Sequence, residues 1–146
     1  LIFGSEEPKE IIKFGFPTHY VGRIQDDISL VSLYNAADVM VIPSLQENLS
    51  NVIMESLSCG TPVVATAVGG LRTAVADGIS GVLVDGHDPK AWSSVISRLL
   101  QEPQRRVLLS MGAIEHASHF GWDVTARGTL DIYDQVISEA RKSLEA

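Results

Sequence analysis

The segment Val39-Met40-Val41-Ile42 is apolar at every position and lies between Asp38 and Pro43. A strand with one wet face would alternate apolar and polar residues. A short uninterrupted run reads instead as a strand covered on both faces, as in a parallel sheet packed between helices. Other short aliphatic or β-branched segments share this character. The expected strands are Leu1 to Phe3, His19 to Gly22, Asp38 to Pro43, Pro62 to Thr66 and Gly81 to Asp85, each bounded by Gly, Pro or Asp.

Segments with a period near 3.6 lie between and after these runs. Asp27 to Ala37 follows an Asp cap and puts Ile28, Val31, Leu33 and Tyr34 on one broad apolar face. Ser50 to Cys59 turns Val52, Ile53, Leu57 and Cys59 inward and stops at Gly60-Thr61-Pro62. A short helix is expected from Leu71 to Ala76. Asp88-Pro89 caps a stretch in which Trp92, Val95, Ile96, Leu99 and Leu100 recur at helical spacing. Helices from Pro103 to Ser118 and from Trp122 to Ser143 close the chain, the last with Tyr133, Val136, Ile137 and Ala140 on one face. Regular alternation of strand and helix predicts right-handed crossovers. The expected fold class is α/β, a Rossmann-like open parallel sheet of about five strands with helices on both faces. The 146 residues suit one domain, 1–146, and the opening Leu1-Ile2-Phe3-Gly4 reads as a cut inside a fold.

Composition narrows the function. Eleven Lys and Arg against 18 Asp and Glu leave a net charge of −7, the wrong sign for gripping nucleic acid or an anionic membrane. No apolar run has the roughly 20 residues a membrane-spanning helix needs. A single cysteine, Cys59, cannot form an internal disulfide, and a reducing, cytoplasmic location is the default expectation. Cys59 reads as a packing residue. His116 and His119 could share a helix face, but no further ligand stands at metal-binding spacing, so no metal site is expected. No Gly-x-Gly-x-x-Gly opens a helix and no Gly-x-x-x-x-Gly-Lys is present, which argues against dinucleotide oxidoreductases and P-loop enzymes.

In open parallel sheets ligands bind beyond the carboxyl ends of the strands. The strand ending at Ile42 leads through Pro43 to Leu49 into a helix capped by Ser50 or Asn51. Its unpaired N–H groups and partial positive charge make an anion site suited to phosphate. Glu55 lies roughly 6 Å of helical rise beyond Asn51, and Glu47 precedes the helix. Carboxylates accept hydrogen bonds from vicinal hydroxyls, so two of them beside an anion site suit a nucleotide sugar. By spacing alone, a Glu favoured by the helix dipole and a chance pair explain the same residues. Gly69-Gly70 reads either as a place where backbone approaches a ligand closely or as a simple tight turn.

The residues from Pro43 to Gly70 resemble the donor-binding segment of family 4 retaining glycosyltransferases, enzymes of the GT-B fold. The matching pieces are Ala37-Asp38-Val39 leading to Pro43-Ser44, Glu47 and Glu55 as the family's Glu-x7-Glu, Cys59-Gly60-Thr61-Pro62-Val63-Val64-Ala65, and Val68-Gly69-Gly70. The resemblance continues through Asp77-Gly78, Gly81-Val82-Leu83-Val84 and Phe120-Gly121-Trp122. From Ala74 to Trp92, with Gly86-His87-Asp88, the chain is similar to members that transfer N-acetylglucosamine to inositol phosphate in mycothiol synthesis. The earlier half looks closer to members acting on polysaccharides, a mixture open to natural divergence or recombination.

The resemblance implies a donor-binding domain that holds a nucleotide diphosphate sugar, foremost a UDP-sugar, with GDP- or ADP-sugar as alternatives. It implies no required cofactor and no catalytic metal. Glu55 would hold the ribose hydroxyls and Glu47 would lie by the transferred sugar. Backbone N–H groups around Leu49, Ser50, Asn51 and Val52 would approach the diphosphate, with Leu49-Ser50-Asn51 standing where the family has Phe-Gly-Leu. Gly22, Arg23 and Ile24 would lie near the base, although Arg23 reads equally as a solvated charge. An N-terminal acceptor-binding domain and an upstream Arg and Lys pair have no counterpart here, so the chain alone is expected to be inactive. The full-length parent could associate peripherally with a membrane. The last helix, about 122–143, would pack back or extend, and self-association through the truncated edge is expected. A non-catalytic nucleotide-binding or scaffold module is the alternative function.

Overall fold

A computed structural model describes residues 1–4 and 14–144. The described residues form strands β1 (Ile2–Phe3), β2 (Tyr20–Gly22), β3 (Met40–Ile42), β4 (Val63–Thr66) and β5 (Gly81–Val84), and from β2 onward these alternate with helices α1 (Asp27–Asn35), α2 (Asn51–Ser58) and α3 (Leu71–Ala74). Helices α4 (Pro89–Gln101), α5 (Pro103–Ser118) and α6 (Trp122–Leu144) follow. All strand pairs are parallel, as the crossovers require. The strands form two hydrogen-bonded groups, β1-β2 and β3-β4-β5, where the sequence suggested one sheet of about five. An apolar groove of 890 Å³, lined by Phe3, Val39 and Val41 among others, separates them.

The core is organised around β4, whose four residues are all buried. Val63 and Ala65 pack with Ile53 and Leu57 of α2, Leu71 and Ala74 of α3 and Ala113 of α5. Val64, pointing the other way, packs with Val84, Trp92 and Leu99 of α4 and with Leu109. Side chains in a strand alternate between faces, so one strand organises two apolar layers. β3 departs from this picture, because Val41 faces the groove and stays 38% exposed.

Local chemistry sets the helix ends. Asp26 caps α1, its carboxylate accepting from Ser29 N at 2.8 Å, and Asp88 caps α4 with Pro89 in the first turn. α2 ends in a Schellman turn: Thr61 N donates to Ser56 O and Gly60 N to Leu57 O, both at 2.9 Å, with Gly60 at φ +75°. The apolar face expected on α1 is mostly uncovered. Tyr34 is buried and Leu33 half-buried, whereas Ile28 is 81% exposed and Val31 is exposed too, because that side of α1 meets no second layer among the described residues. On α4, Leu100 is likewise exposed. Every side chain of α6 from Trp122 to Ser143 is exposed, including Tyr133, Val136, Ile137 and Ala140.

Leu57→Ala should lower unfolding stability by about 3 kcal/mol, because it empties a fully buried site between α2 and β4. Urea unfolding followed by circular dichroism measures this. Hydrogen bonding from Ser29 holds the Asp26 carboxyl below the ordinary value of 3.8. A depressed folded-state pKa stabilises above the unfolded value and is lost as pH falls through the folded one. The Ser29 amide resonance should therefore titrate with a midpoint below 3.8; a midpoint at or above that value would remove the cap.

Candidate functional site

Parallel pairing of Met40 with Val63 and of Ile42 with Ala65 brings the carboxyl ends of β3 and β4 side by side. The loops leaving them, 43–50 and 67–70, therefore emerge together. Gly70 N donates to the Glu47 carbonyl at 3.1 Å. A Cβ built on Gly69 would overlap the Glu47 carbonyl oxygen, and one on Gly70 would overlap that of Asn48. The two glycines form the tight turn considered from sequence, with Leu71 N donating to Val68 O at 3.0 Å, and they also admit the backbone of the 47–49 loop. Gly69 also takes φ +46°, a conformation that side chains disfavour.

This clamp holds half-buried Glu47, whose own Oε1 accepts from Asn48 N at 3.2 Å. α2 begins immediately beyond. Ser50 occupies its N-cap position with extended backbone (φ −85°, ψ 119°), but its side chain makes no capping hydrogen bond. The expected cap exists by position only: Ile53 N donates to the Ser50 carbonyl at 3.1 Å, and Asn51 N and Val52 N have no side-chain acceptor among the described residues. Such a helix start carries partial positive charge open to an anion. Leu49 and Asn51 are exposed, and Val52 is half-buried.

Glu55 stands half-buried one turn into α2, and its Oε2 accepts from the Tyr34 hydroxyl at 2.9 Å. Burial first, and then the hydrogen bond to and charge of Glu55, raise the Tyr34 phenol far above its ordinary range. Sequence patterning placed Tyr34 on an apolar face and missed this contact. A buried tyrosine hydroxyl needs a partner, which was the available signal, but nothing in the spacing named which partner. Cys59, the C-cap of α2, is half-buried, and burial followed by the charge of Glu55 pushes its thiol up, away from nucleophilic character.

Gly22, Arg23 and Ile24 sit at the carboxyl end of β2. Gly22 has φ +73° and accepts from Gly4 N at 2.8 Å. Arg23 and Ile24 line an open depression of 610 Å³ with Val21, Ser29 and Leu33. Arg23 is exposed and makes no ion pair among the described residues. The depression and Glu55 are linked through α1, which supplies the wall of one and the hydrogen-bond donor to the other. The loop after β5 joins the same end of the sheet, with His87 Nε2 3.4 Å from the Ser44 carbonyl oxygen. His116 pairs with the Ala74 carbonyl at 3.2 Å, and no His/Cys/Asp/Glu cluster suited to a metal occurs among the described residues.

Gly70→Ala should displace the 47–49 loop and cost about 1–3 kcal/mol in stability through overpacking. Amide resonances of Asn48 and Leu49 should shift strongly while those of α4 stay in place. An unchanged spectrum would show that the loops do not lean on one another.

A family model described as glycosyl transferases group 1 matches residues 1–102. D-inositol 3-phosphate glycosyltransferase of Salinispora tropica is 44% identical over 97% of the chain, which covers 30% of that protein. The protein of the same name from Thermomonospora curvata is 56% identical over 71% of the chain, 24% of its own length. The chain thus spans less than a third of these relatives. Among solved structures, sucrose-phosphate synthase from Thermosynechococcus elongatus aligns with a TM-score of 0.74 and 35% identity over 83% of this chain and 30% of its own. Anabaena HepE in complex with UDP aligns with a TM-score of 0.63 and 26% identity, over 85% of this chain and 32% of its own. Among the described residues no helix is long and apolar enough to cross a membrane. The parallel α/β layers are those of a GT-B glycosyltransferase, and with a family model matched over residues 1–102 the chain belongs to the glycosyl transferases group 1 family.

Proposed function

We propose that this chain is the donor-binding domain of a retaining, metal-independent glycosyltransferase and that it holds a nucleotide diphosphate sugar at the carboxyl ends of β2, β3 and β4. The observation that carries the reading is the uncapped start of α2 flanked by Glu47 and Glu55. An anion site between two carboxylates suits a diphosphate flanked by two hydroxyl-bearing rings. In this reading backbone N–H groups from Leu49 to Val52 face the diphosphate, and the helix dipole stabilises the charge that develops as it leaves. Glu55 accepts from the ribose hydroxyls, Glu47 lies by the transferred sugar, and the depression at Gly22, Arg23 and Ile24 takes the base.

HepE bound to UDP and to UDP-glucose supports a UDP-sugar as donor. The curated relatives' names support D-inositol 3-phosphate as acceptor of the full-length protein. Acceptor contacts and the basic pair expected to neutralise the leaving diphosphate belong to the parent outside this chain. Residues 1–146 bind donor without turning it over, and the parent works in the cytoplasm.

Titration of the chain with UDP, GDP and ADP, followed by backbone amide NMR, tests the site. UDP should shift resonances from Ser50 to Glu55 and from Gly22 to Ile24; a dispersed spectrum that no nucleotide shifts would leave a scaffold module as the function. In the full-length protein Glu47→Ala should lower turnover by about a hundredfold or more while UDP affinity stays nearly constant. Full activity in that variant would take Glu47 out of the mechanism.

A further inference from the structure

Tyr34 is 2% exposed, and its hydroxyl donates a hydrogen bond to Oε2 of the Glu55 carboxylate at 2.9 Å. Its ring is held from behind by Phe3, with centroids 5.7 Å apart at an interplanar angle of 88°. Its backbone is held as well. The Tyr34 carbonyl accepts from Thr61 Oγ1 at 2.7 Å and from Ala37 N at 3.0 Å. Thr61 belongs to the turn that ends α2, so α1 and α2 are tied both at Glu55 and just beyond Ser58. A glutamate on a helix surface otherwise samples several rotamers, and a ligand that needs one of them must overcome that freedom. The hydrogen bond from Tyr34 favours one of them before any ligand arrives. The phenol has one proton to donate and, raised in pKa by its surroundings, keeps it throughout neutral pH.

We propose that Tyr34 is a positioning residue of the donor site, clamping Oε2 of Glu55 so that Oε1 is left as the acceptor for the ribose hydroxyls. The proposal rests on the ribose-holding reading of Glu55 given above. It makes sugar recognition depend on a residue that does not touch the nucleotide. It also makes β1 part of the site, since Phe3 backs the tyrosine.

Calorimetric titration of the whole chain with UDP and with 2′-deoxy-UDP tests both levels. The unsubstituted chain should prefer UDP. Tyr34→Phe should weaken UDP about tenfold and 2′-deoxy-UDP far less, so that the preference collapses while the amide spectrum away from the site is unchanged. A folded Tyr34→Phe chain that weakens both nucleotides equally, or neither, overturns the positioning role and leaves the reading of Glu55 standing. A chain that binds no UDP, or a Glu55→Gln variant with unaltered affinity and preference, overturns the reading of Glu55 and the proposal with it. Should Tyr34→Phe fail to fold, 3-fluorotyrosine at position 34 gives a second readout. Its fluorine resonance should move on saturation with UDP and much less with 2′-deoxy-UDP, and equal movement or none with the two nucleotides overturns the proposal.

Discussion

Parallel pairing of β3 with β4 is the contact on which the remaining structure depends. It aligns Met40, Val41 and Ile42 with Val63, Val64 and Ala65, so the two strands end together and their following loops leave at the same edge. Burial makes that register hard to slip. β4 is covered on both faces, and a shift by one residue would exchange Val63 and Ala65 with Val64 between two differently shaped apolar layers. The packing of α2, α3 and α5 on one face and of α4 on the other follows from this single doubly covered strand.

What emerges at the carboxyl edge is held by few and specific contacts. The Gly69-Gly70 backbone lies so close to that of Glu47 and Asn48 that no side chain fits between them, which holds the loop bearing the first carboxylate. The second carboxylate is held from another element, by the Tyr34 hydroxyl. Between them the helix start stays open, because Ser50 has cap geometry without a cap bond. A tightly supported surround around a helix start that lacks a side-chain cap is the arrangement expected of a binding site, since preorganised groups need little reordering when the ligand arrives.

Much of the fold was legible in the chain. Apolar runs bounded by Gly, Pro or Asp marked the five strands of the described residues, and Gly60 marked the end of α2, because these signals act over a few residues. The face of α1 was not legible. Ile28, Val31, Leu33 and Tyr34 have helical spacing, yet only Tyr34 is fully covered, since periodicity states which residues share a side and not whether another layer lies against it. The same holds for the last helix, whose apolar stripe is regular in sequence and exposed in space. At the candidate site, the motif and the helix that follows Ile42 pointed to Glu47 and Glu55, which the structure places on either side of the start of α2. The purpose of Gly69-Gly70 could not, because the atoms they make room for are 22 residues away along the chain.

The sequence by itself determined the class of fold, the order of strands and helices and the family, because hydrophobic period, turn residues and motif spacing are local properties of the chain. Tertiary structure decided which elements touch. It divided the strands into two groups with a groove between them, seated the 47–49 loop against two glycines and directed a buried tyrosine to Glu55. Those outcomes depend on how separate layers close against one another, and the free energy of such closure lies in contacts between residues far apart in the chain.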